Sequence, residues 1–508
     1  MHQRKKKLHE MSQGNGLRGA YSATLQRIQA QKGSRSRLGI EVLMWLSHSE
    51  RPLHASELCD AMGVEIGSAD LNPHNIPSIE TLLGCSLGLV ILEASSYTLR
   101  LVHRTLQEYL SNNSGLFHRP HSMIAEVCLT YLNSQCIRDL PPTLDWRQLR
   151  KSLLRYASCY WGTHARRETT ESVKTLALRL LVEFDKHVSS EVLLGYGADG
   201  PDWELSGNIP TGFTGLHGAA YLGVEEIAVG LLEVRKWDLN APDTGGNTAI
   251  SWAVIKGHGA VAKVLLAREG LTPNTADKSG RTPLSWAAQF GNKDIVKMLL
   301  EREDITLDTA DEDGRIPLLW AAKFENKDIV KMLLEREDIT PGISDKECLT
   351  PLLWAAKNGN RGIARMLIAR EDVPPDPTDH RGRTPLSYAA RNGNGDIVKM
   401  LLGRGDVAPN TTDEYGRTPL LRAAEYGHED IVKMLLARED VTPNTADRCG
   451  RTPLWWGAGI GHRGVVRILL EQGNVSPNAA DNYGQPPLLW VAEFGNEDIV
   501  KMLWREKM

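Results

Sequence analysis

Two glycine-rich runs contain the residue types and spacings that most resemble catalytic or cofactor motifs. Gly84-Cys85-Ser86-Leu87-Gly88 matches G-x-S-x-G, in which a serine nucleophile lies on a sharp turn between a strand and a helix. Here the pattern predicts a helix before Ser86 and a strand after it, so the order is inverted. We therefore predict a turn rather than a hydrolase site.

The second run, Gly195 to Gly200, matches G-x-G-x-x-G. A dinucleotide site needs this run to open a helix within a βαβ unit, so that the pyrophosphate meets the helix N-terminus. Pro201 and Trp203 follow directly, and no parallel-strand pattern surrounds the run. It is predicted as the joint before the C-terminal part of the chain. The phosphate-binding pattern G-x-x-x-x-G-K-[ST] is absent from the sequence.

Three histidines, His103, His164 and His217, were considered as metal ligands or bases. They fall in separate predicted elements, and none has an Asp, Cys or His nearby at ligand spacing. The seven cysteines are scattered without a CxxC pair, which argues against zinc and for free thiols in a reducing compartment. We therefore expect no catalytic residue, no metal site and no cofactor, and hence a protein that is not an enzyme.

The C-terminal three-fifths of the chain is built on one interval of 34 residues. The tripeptide Thr282-Pro283-Leu284 recurs at this interval, intact or degraded. The slot of Thr282 holds Thr214, Thr248, Thr282, Ile316, Thr350, Thr384, Thr418, Thr452 and Pro486. Self-similarity at a fixed period indicates a stacked repeat array. Nine units are expected over residues 207–508, and the end of the last one is open to interpretation as frayed, covered by a partner or cut short.

The chemistry within one unit selects the type of repeat. Residues 277–280 form a turn, Thr282 suits a helix N-cap, and Pro283 suits the first helical position. Apolar periodicity predicts helices over 284–290 and 293–302, separated by a Gly-Asn break. This unit resembles the ankyrin repeat, with the extra residue over the usual 33 placed in the REDxTPN linker. We expect a mostly α fold, an ankyrin-repeat α-solenoid of about nine 34-residue units.

The chain before the repeats is predicted as three segments. Residues 1–37 are a basic N-terminal helix and linker, with a loop over 31–37. Residues 38–119 follow the outline helix, helix, helix, hairpin, which is that of a small winged-helix (α+β) module. Residues 120–200 are a helical connector. The candidate recognition helix carries an acid and no Arg or Lys, so we expect the module to pack against protein rather than read DNA.

The winged-helix region also resembles a family, in three stretches: ERPLHASELCDAMGVEIGS (50–68), IPSIETLLGCSLGLV (76–90) and VHRTLQEYL (102–110). They are similar to the winged-helix segment of fungal NACHT–ankyrin receptors of the NLR-like, STAND type. The resemblance continues in AEVCLTYLN (125–133) and YASCYWGTHARR (156–167). This winged helix is often labelled after GPI inositol-deacylases, a label that implies no deacylase chemistry.

In that family a nucleotide-binding NACHT domain precedes the winged helix. The segment before Leu38 is too short to hold one, and the chain has no P-loop. The resemblance therefore covers only the C-terminal part of such receptors, their regulatory and sensor half. The ATP-driven switch of the family is not carried over.

Composition sets the expected location and excludes some partners. The net charge is −4 with 24% charged residues, so no excess of one sign predicts a nucleic-acid partner. The longest apolar run, residues 82–92, is too short to span a bilayer. We predict an intracellular, cytoplasmic protein. The basic run Arg4 to Lys7 is open to interpretation as a frayed terminus or as a nuclear-import patch. The oligomeric state is not predicted.

A row of large side chains occupies the slot two residues after Leu284 in each repeat. Its members are Trp252, Trp286, Trp320, Trp354, Tyr388, Arg422, Trp456 and Trp490. An exposed row of this kind could stack nucleobases. In ankyrin repeats this slot is a buried, Leu-like position, so we predict core packing.

Partner-binding residues are expected at the variable slots. In an ankyrin fold the turn tips and the ends of the first helices face a concave groove, and here they combine Phe and Tyr anchors with charges that set partner choice. The predicted groove residues are Lys278, Ser279, Arg281, Gln289, Phe290, Arg315, Phe324, Arg383, Glu414, Tyr415, Arg417, Tyr426, Arg451, Tyr483 and Phe494. The recurring arginines are open to a second interpretation, as structural residues that bond across neighbouring turns.

The sequence therefore predicts a protein–protein interaction or scaffold protein, which recognises a protein ligand through this groove in intracellular signalling or immunity-like sensing. Two alternatives stay open. One is the C-terminal fragment of a NACHT–ankyrin receptor lacking its NTPase. The other is a transcription-associated regulator that uses the basic N-terminus and the winged helix.

Overall fold

A computed structural model describes residues 15–113, 115–140, 152–196, 212–493 and 496–505. The chain divides into two compact units, unit 1 (residues 1–272) and unit 2 (residues 273–508). The described residues form 28 α-helices and one three-stranded sheet, so the fold is mostly α, as predicted. None of these helices is long and apolar enough to cross a membrane. The Arg4–Lys7 run and most of the 195–200 run lie outside the described residues.

Unit 1 begins with a helix and a winged helix. The helices are α1 (Asn15–Gln29), α2 (Ser34–His48), α3 (Ala55–Gly63), α4 (Ile79–Cys85) and α5 (Arg104–Asn112). The strands are β1 (Leu53–His54), β2 (Val90–Glu93) and β3 (Thr98–Leu101), which pair antiparallel in the order β1-β3-β2. Helix α2 was predicted to start at Leu38 after a loop over 31–37. It starts at Ser34, because the turn is made by Gly33 in the left-handed region and the polar residues that follow are compatible with a helix.

Helix α1 packs against the winged helix. Its side chains Tyr21, Leu25 and Ile28 are buried. A Cβ at Gly39 would lie 2.8 Å from Ile28 Cγ2, so glycine permits this close approach between α1 and α2. The Tyr21 hydroxyl lies 2.8 Å from Thr105 Oγ1 on α5. Residues 15–29 therefore share a core with the module that follows them.

The rest of unit 1 is helical and ends in two helix pairs of the repeat array. The connector contains α6 (Pro120–Asn133), α7 (Gln135–Arg138), α8 (Leu153–Arg167), α9 (Glu171–Leu181) and α10 (Val188–Tyr196). The repeat helices are α11 (Gly215–Leu222), α12 (Glu225–Val234), α13 (Ala249–Ile255) and α14 (Gly259–Leu266). The connector packs on the first repeat, where Arg166 donates to Leu222 O at 2.8 Å and the rings of Phe184 and Phe213 are 6.1 Å apart. It thereby covers a face that a repeat would otherwise expose to water.

Unit 2 consists of seven helix pairs. These are α15 (Pro283–Phe290) with α16 (Lys293–Leu300), α17 (Pro317–Lys323) with α18 (Lys327–Leu334), α19 (Pro351–Asn358) with α20 (Arg361–Ile368), α21 (Pro385–Arg391) with α22 (Gly395–Leu402), α23 (Pro419–Tyr426) with α24 (Glu429–Leu436), α25 (Pro453–Ile460) with α26 (Arg463–Leu470), and α27 (Pro487–Glu493) with α28 (Glu497–Arg505). The local signals act as predicted. Thr282 Oγ1 accepts from Ser285 N, Pro283 is the first helical residue, and Gly291 ends α15 with φ 76°.

The linkers between repeats carry a row of side-chain amides. Asn274 Nδ2 donates to Asp304 O at 2.6 Å, and its Oδ1 accepts from Thr306 N at 3.0 Å. Asn410 and Asn444 make the same pair of bonds, each with the linker that follows its own. Each asparagine thus satisfies one acceptor and one donor of the next linker, and joins neighbouring repeats.

Two linkers carry aspartate in this slot, Asp308 and Asp376. Asp376 Oδ2 accepts from Ala408 N at 2.6 Å, but its buried Oδ1 has no hydrogen-bond partner in the described part of the chain. Burial raises the pKa of the Asp376 carboxyl; the Ala408 N–H and Arg404 oppose this effect and Asp406 adds to it. Where asparagine donates an N–H, this carboxylate presents an unsatisfied oxygen.

Asp376→Asn is therefore expected to stabilise unit 2 by about 1 kcal/mol at neutral pH. A carboxyl whose pKa is raised by folding holds its proton more tightly in the folded chain, so stability falls as the pH rises from its unfolded value, near 4, through the raised value. The stabilisation by Asp376→Asn should be largest above this pH range and smaller below it. Urea unfolding at both ends of the window measures it. The reciprocal variant Asn410→Asp should destabilise, and equal stabilities of both variants and the parent chain would contradict the assignment.

Candidate partner-binding surface

The turn at the tip of each repeat is organised by one aspartate. Asp277 Oδ1 accepts hydrogen bonds from the backbone N–H groups of Ser279 and Arg281, both at 2.9 Å. Its Oδ2 accepts from Trp286 Nε1 at 2.9 Å. Burial raises the pKa of the Asp277 carboxyl, although these three hydrogen bonds and the Arg281 charge oppose the rise. One side chain therefore fixes both the turn and the first helix behind it.

The same arrangement recurs with different donors. Trp252, Trp320 and Trp456 donate to the tip aspartate nine residues before them. Tyr388 Oη donates to Asp379 Oδ2 at 2.8 Å, and Arg422 Nη2 donates to Asp413 Oδ2 at 2.5 Å. The prediction of core packing for this row is confirmed for four buried members, Trp320, Trp354, Tyr388 and Arg422.

Trp252, Trp286, Trp456 and Trp490 are half-buried, so the slot is not a plain Leu-like position. Its usual task is to donate a hydrogen bond to the tip aspartate. An Asp recurs nine residues before each of these donors in the sequence, but the spacing alone does not show that the two side chains bond. Trp354 departs from the pattern, because its buried Nε1 has no hydrogen-bond partner among the described residues.

The arginines that follow the turn glycines lie between these rings. The Arg281 guanidinium lies 4.5 Å from the Trp286 ring and 4.2 Å from the Trp320 ring of the next repeat. Arg417 lies 5.3 Å from the Tyr415 ring of its own repeat and 5.2 Å from the Trp456 ring of the next one. Such cation–π contacts bind adjacent turns together. These are contacts expected of structural arginines; a partner-binding role for them stays a prediction.

Successive tips are also joined through their backbones. Glu312 N donates to Ser279 O, and Lys346 N donates to Asp313 O, each at 2.8 Å. Arg448 N donates to Tyr415 O at 2.9 Å. The tips of unit 2 thus present their side chains from a bonded row of turns.

The residues predicted to bind a partner differ in exposure. Those exposed are Lys278, Ser279, Phe290, Phe324, Tyr415, Tyr426 and Tyr483. Those half-buried are Arg281, Gln289, Arg315, Arg383, Glu414, Arg417 and Arg451. Phe494 lies outside the described residues.

The exposed aromatic side chains at the ends of the first helices are held in place by neighbours. Phe290 stacks on Trp286, with ring centroids 5.6 Å apart and an interplanar angle of 9°, and Phe324 stacks on Trp320 at 5.8 Å. The Tyr426 hydroxyl accepts from Arg391 Nε at 3.2 Å. These rings are nearly half exposed, at 49%, 47% and 43%. Their positions are fixed before any partner arrives.

The serine of the G-x-S-x-G run, Ser86, has a structural role. Ser86 is fully buried, and its Oγ donates to Leu82 O at 2.7 Å. It lies between the end of α4 and the start of β2, which confirms the predicted turn.

The histidines His103 and His217 also have local partners. His103 Nδ1 accepts from Thr105 N at the start of α5, and His217 Nε2 lies 3.0 Å from Ala241 O and 3.2 Å from Asn247 O of the following repeat.

His164 was expected to lack a nearby ligand-type side chain, and this expectation is wrong. Its Nδ1 lies 2.8 Å from His121 Nδ1, and Glu50 lies beside both. The sequence could not reveal this because His121 and His164 lie on α6 and α8, which tertiary packing brings together.

Comparison with known families agrees with the geometry. The model of ankyrin repeats (three copies) matches residues 261–345, 300–379, 352–447 and 439–507. The model of the GPI inositol-deacylase winged helix domain matches residues 25–119. No curated protein gives a significant match to the chain. The chain thus contains ankyrin repeats and a winged helix of this type.

Proposed function

We propose that this ankyrin-repeat chain is a non-enzymatic scaffold that binds a protein ligand along the tips and first-helix ends of unit 2. Ankyrin repeats are non-catalytic interaction modules, which supports a protein-interaction role. The observation that carries the proposal is the row of exposed aromatic rings, Phe290, Phe324, Tyr415, Tyr426 and Tyr483. Monomeric proteins seldom leave such rings exposed in series without a binding purpose.

The physical case rests on low ordering cost. Rings that are already stacked, as Phe290 is on Trp286, lose little conformational freedom when a partner covers them. Aromatic anchors contribute most of the affinity at protein interfaces. The row is therefore suited to a rigid, pre-formed recognition surface.

Charges on the same row support selectivity. Tip residues carry charges of both signs: Lys278 is exposed, Glu414 is paired with Arg381 at 3.5 Å, and Arg448 is exposed. Between the aromatic ends of the helices, Asn358 and Asn392 donate to the carbonyl groups of Lys323 and Lys357. Mixed charge of this kind selects among partners more than it adds affinity.

The resemblance to NACHT–ankyrin receptors favours signalling or immunity-like sensing as the setting. There the repeats belong to the sensor half of the receptor. We infer that the winged helix packs against protein in this chain too, since its candidate recognition helix has no Arg or Lys.

The proposal is tested by cross-linking and pull-down with mass spectrometry, comparing the parent chain with the triple variant Glu414→Ala/Tyr415→Ala/Tyr426→Ala. Loss of two ring anchors is expected to weaken partner capture by at least ~10-fold, because each such anchor contributes more than about 1 kcal/mol.

A matched control changes the second helix of the same repeat. Asp430→Ala/Lys433→Ala removes two exposed side chains on α24 and should leave capture unchanged. Circular dichroism confirms that both variants fold. If the triple variant retains the same bound proteins as the control, the surface is wrongly assigned.

A further inference from the structure

Three side chains from separate elements of unit 1 converge at the junction between the winged helix and the connector. Glu50 follows α2, His121 lies in the first turn of α6, and His164 lies in α8. One ligand-type atom from each lies within 4.8 Å of the others, and the two histidine Nδ1 atoms are 2.8 Å apart. Nothing in the partner-binding surface of unit 2 involves them.

We propose that Glu50, His121 and His164 form a zinc-binding site that ties the winged helix to the connector. Two imidazole nitrogens and one carboxylate are a ligand set that zinc accepts, with water in the fourth position. At Zn–N distances near 2.0 Å, tetrahedral ligands lie roughly 3.3 Å apart. The two imidazoles need to separate by only about 0.5 Å, and the Glu50 carboxylate needs to approach by up to about 1.5 Å through side-chain rotation.

The surroundings of His164 match those of a metal ligand. Its other nitrogen, Nε2, lies 2.8 Å from the hydroxyl of Tyr156, which also accepts a hydrogen bond from Glu50 N at 3.1 Å. Metal-bound histidines commonly hold their second nitrogen in such a bond, which fixes the ring orientation and the tautomer. His164 is fully buried, whereas His121 and Glu50 are half-buried, so the site is open to solvent on one side.

Both imidazoles are held in the neutral form that binds metal. Burial, together with the neighbouring His121 and Arg167, lowers the pKa of His164 to about 3. Burial also lowers the pKa of His121, and Arg167 and His48 act in the same direction. The hydrogen bond between the two Nδ1 atoms holds one proton, which zinc would have to displace before both atoms could bind it.

The neighbouring Arg167 opposes zinc binding. Arg167 forms an ion pair with Glu50, with Nη2 3.1 Å from Oε2. Its guanidinium occupies carboxylate lone pairs that zinc would use and adds a positive charge beside the site. Removing Arg167 should tighten zinc binding, which distinguishes this site from scattered surface histidines.

The test uses the full chain, freed of metal with a chelator and titrated with Zn²⁺ against a competing indicator. One tight site per chain is expected, together with a higher midpoint of thermal unfolding. His121→Ala and Glu50→Gln should each weaken zinc binding by at least ~10-fold. Arg167→Ala should strengthen it by roughly 2- to 5-fold. His164→Ala would leave a cavity in the core because the ring is fully buried, so the half-buried ligands His121 and Glu50 carry the test.

His118→Ala is the matched control, since His118 is an exposed histidine three residues from His121. Its zinc affinity should equal that of the parent chain. Co²⁺ in place of zinc should give a tetrahedral spectrum without a thiolate charge-transfer band. Equal affinities of the His121→Ala and His118→Ala variants, or a thiolate band, would overturn the proposal.

Discussion

Replacing Asp311 with alanine is expected to lower the free energy of unfolding of unit 2 by about 3–5 kcal/mol. The carboxylate accepts from Asp313 N, Arg315 N and Trp320 Nε1 at 2.8–2.9 Å. Its side chain is only 2% exposed. Alanine would leave these donors without a partner in a site that water cannot readily reach, and would also remove the negative charge beside Arg281.

The measurement is urea unfolding of the full chain, followed by hydrogen exchange in unit 2. Asp313→Ala is the control, because that carboxylate belongs to the same tip but is 57% exposed and pairs with Arg315 at the surface. It should cost less than about 1 kcal/mol. Asp311→Asn should fall between the two, since an amide oxygen can still accept from the turn. Similar losses for Asp311→Ala and Asp313→Ala would show that the tip aspartate does not organise the repeat.

Gly215→Ala is expected to destabilise unit 1 by about 3 kcal/mol or more. A Cβ at this position would lie 1.8 Å from Leu181 O and 2.7 Å from Leu181 C, which are backbone atoms of the connector. No rotamer change relieves such a contact, so α11 would have to move away from α9. The first repeat would then lose the surface that covers it.

Amide hydrogen exchange shows which helices the Gly215→Ala substitution destabilises. Protection should drop in Glu171–Leu181 and Gly215–Leu222, and persist in the winged helix over 34–112. Gly84→Ala is the control, since a Cβ there meets nothing within 4 Å. It lies in α4 and should be neutral or slightly stabilising. Unchanged protection in α9 and α11 of Gly215→Ala would contradict the close packing of the connector on the first repeat.

Local signals explain why so much of the repeat fold could be predicted. Thr282 caps the helix through its side chain, Pro283 and Gly291 act through their backbone conformations, and the 34-residue interval repeats these signals through the array. The exposed positions of Phe290 and Phe324 also follow from the repeat register. The role of the Trp286 slot could not be predicted from that register, because sequence periodicity shows which residues recur and not which atoms bond.

The contacts that could not be predicted join elements distant in the chain. Gln31 donates to Cys85 O, and Arg166 donates to Leu222 O, across 54 and 56 residues. His121 and His164 meet only because α6 packs along α8. No spacing rule connects such residues without the packing itself. For the same reason, the connector gave no signal that it covers the first repeat.

The row of linker side chains that hydrogen-bond to the next linker is interrupted at one joint among the described residues of unit 2. The Asn274 slot is occupied there by Gly342, which has no side chain, and the residue whose N–H it would meet is Pro374, which has none to offer. A Cβ on Gly342 would lie 3.2 Å from Pro374 Cδ, so the two residues share a tight apolar contact instead of a bond. In an array held by nearest neighbours, strain concentrates at the poorest joint. When force is applied to the two ends of the array, the repeats are expected to separate first at this joint. Two folded segments would remain on either side of it.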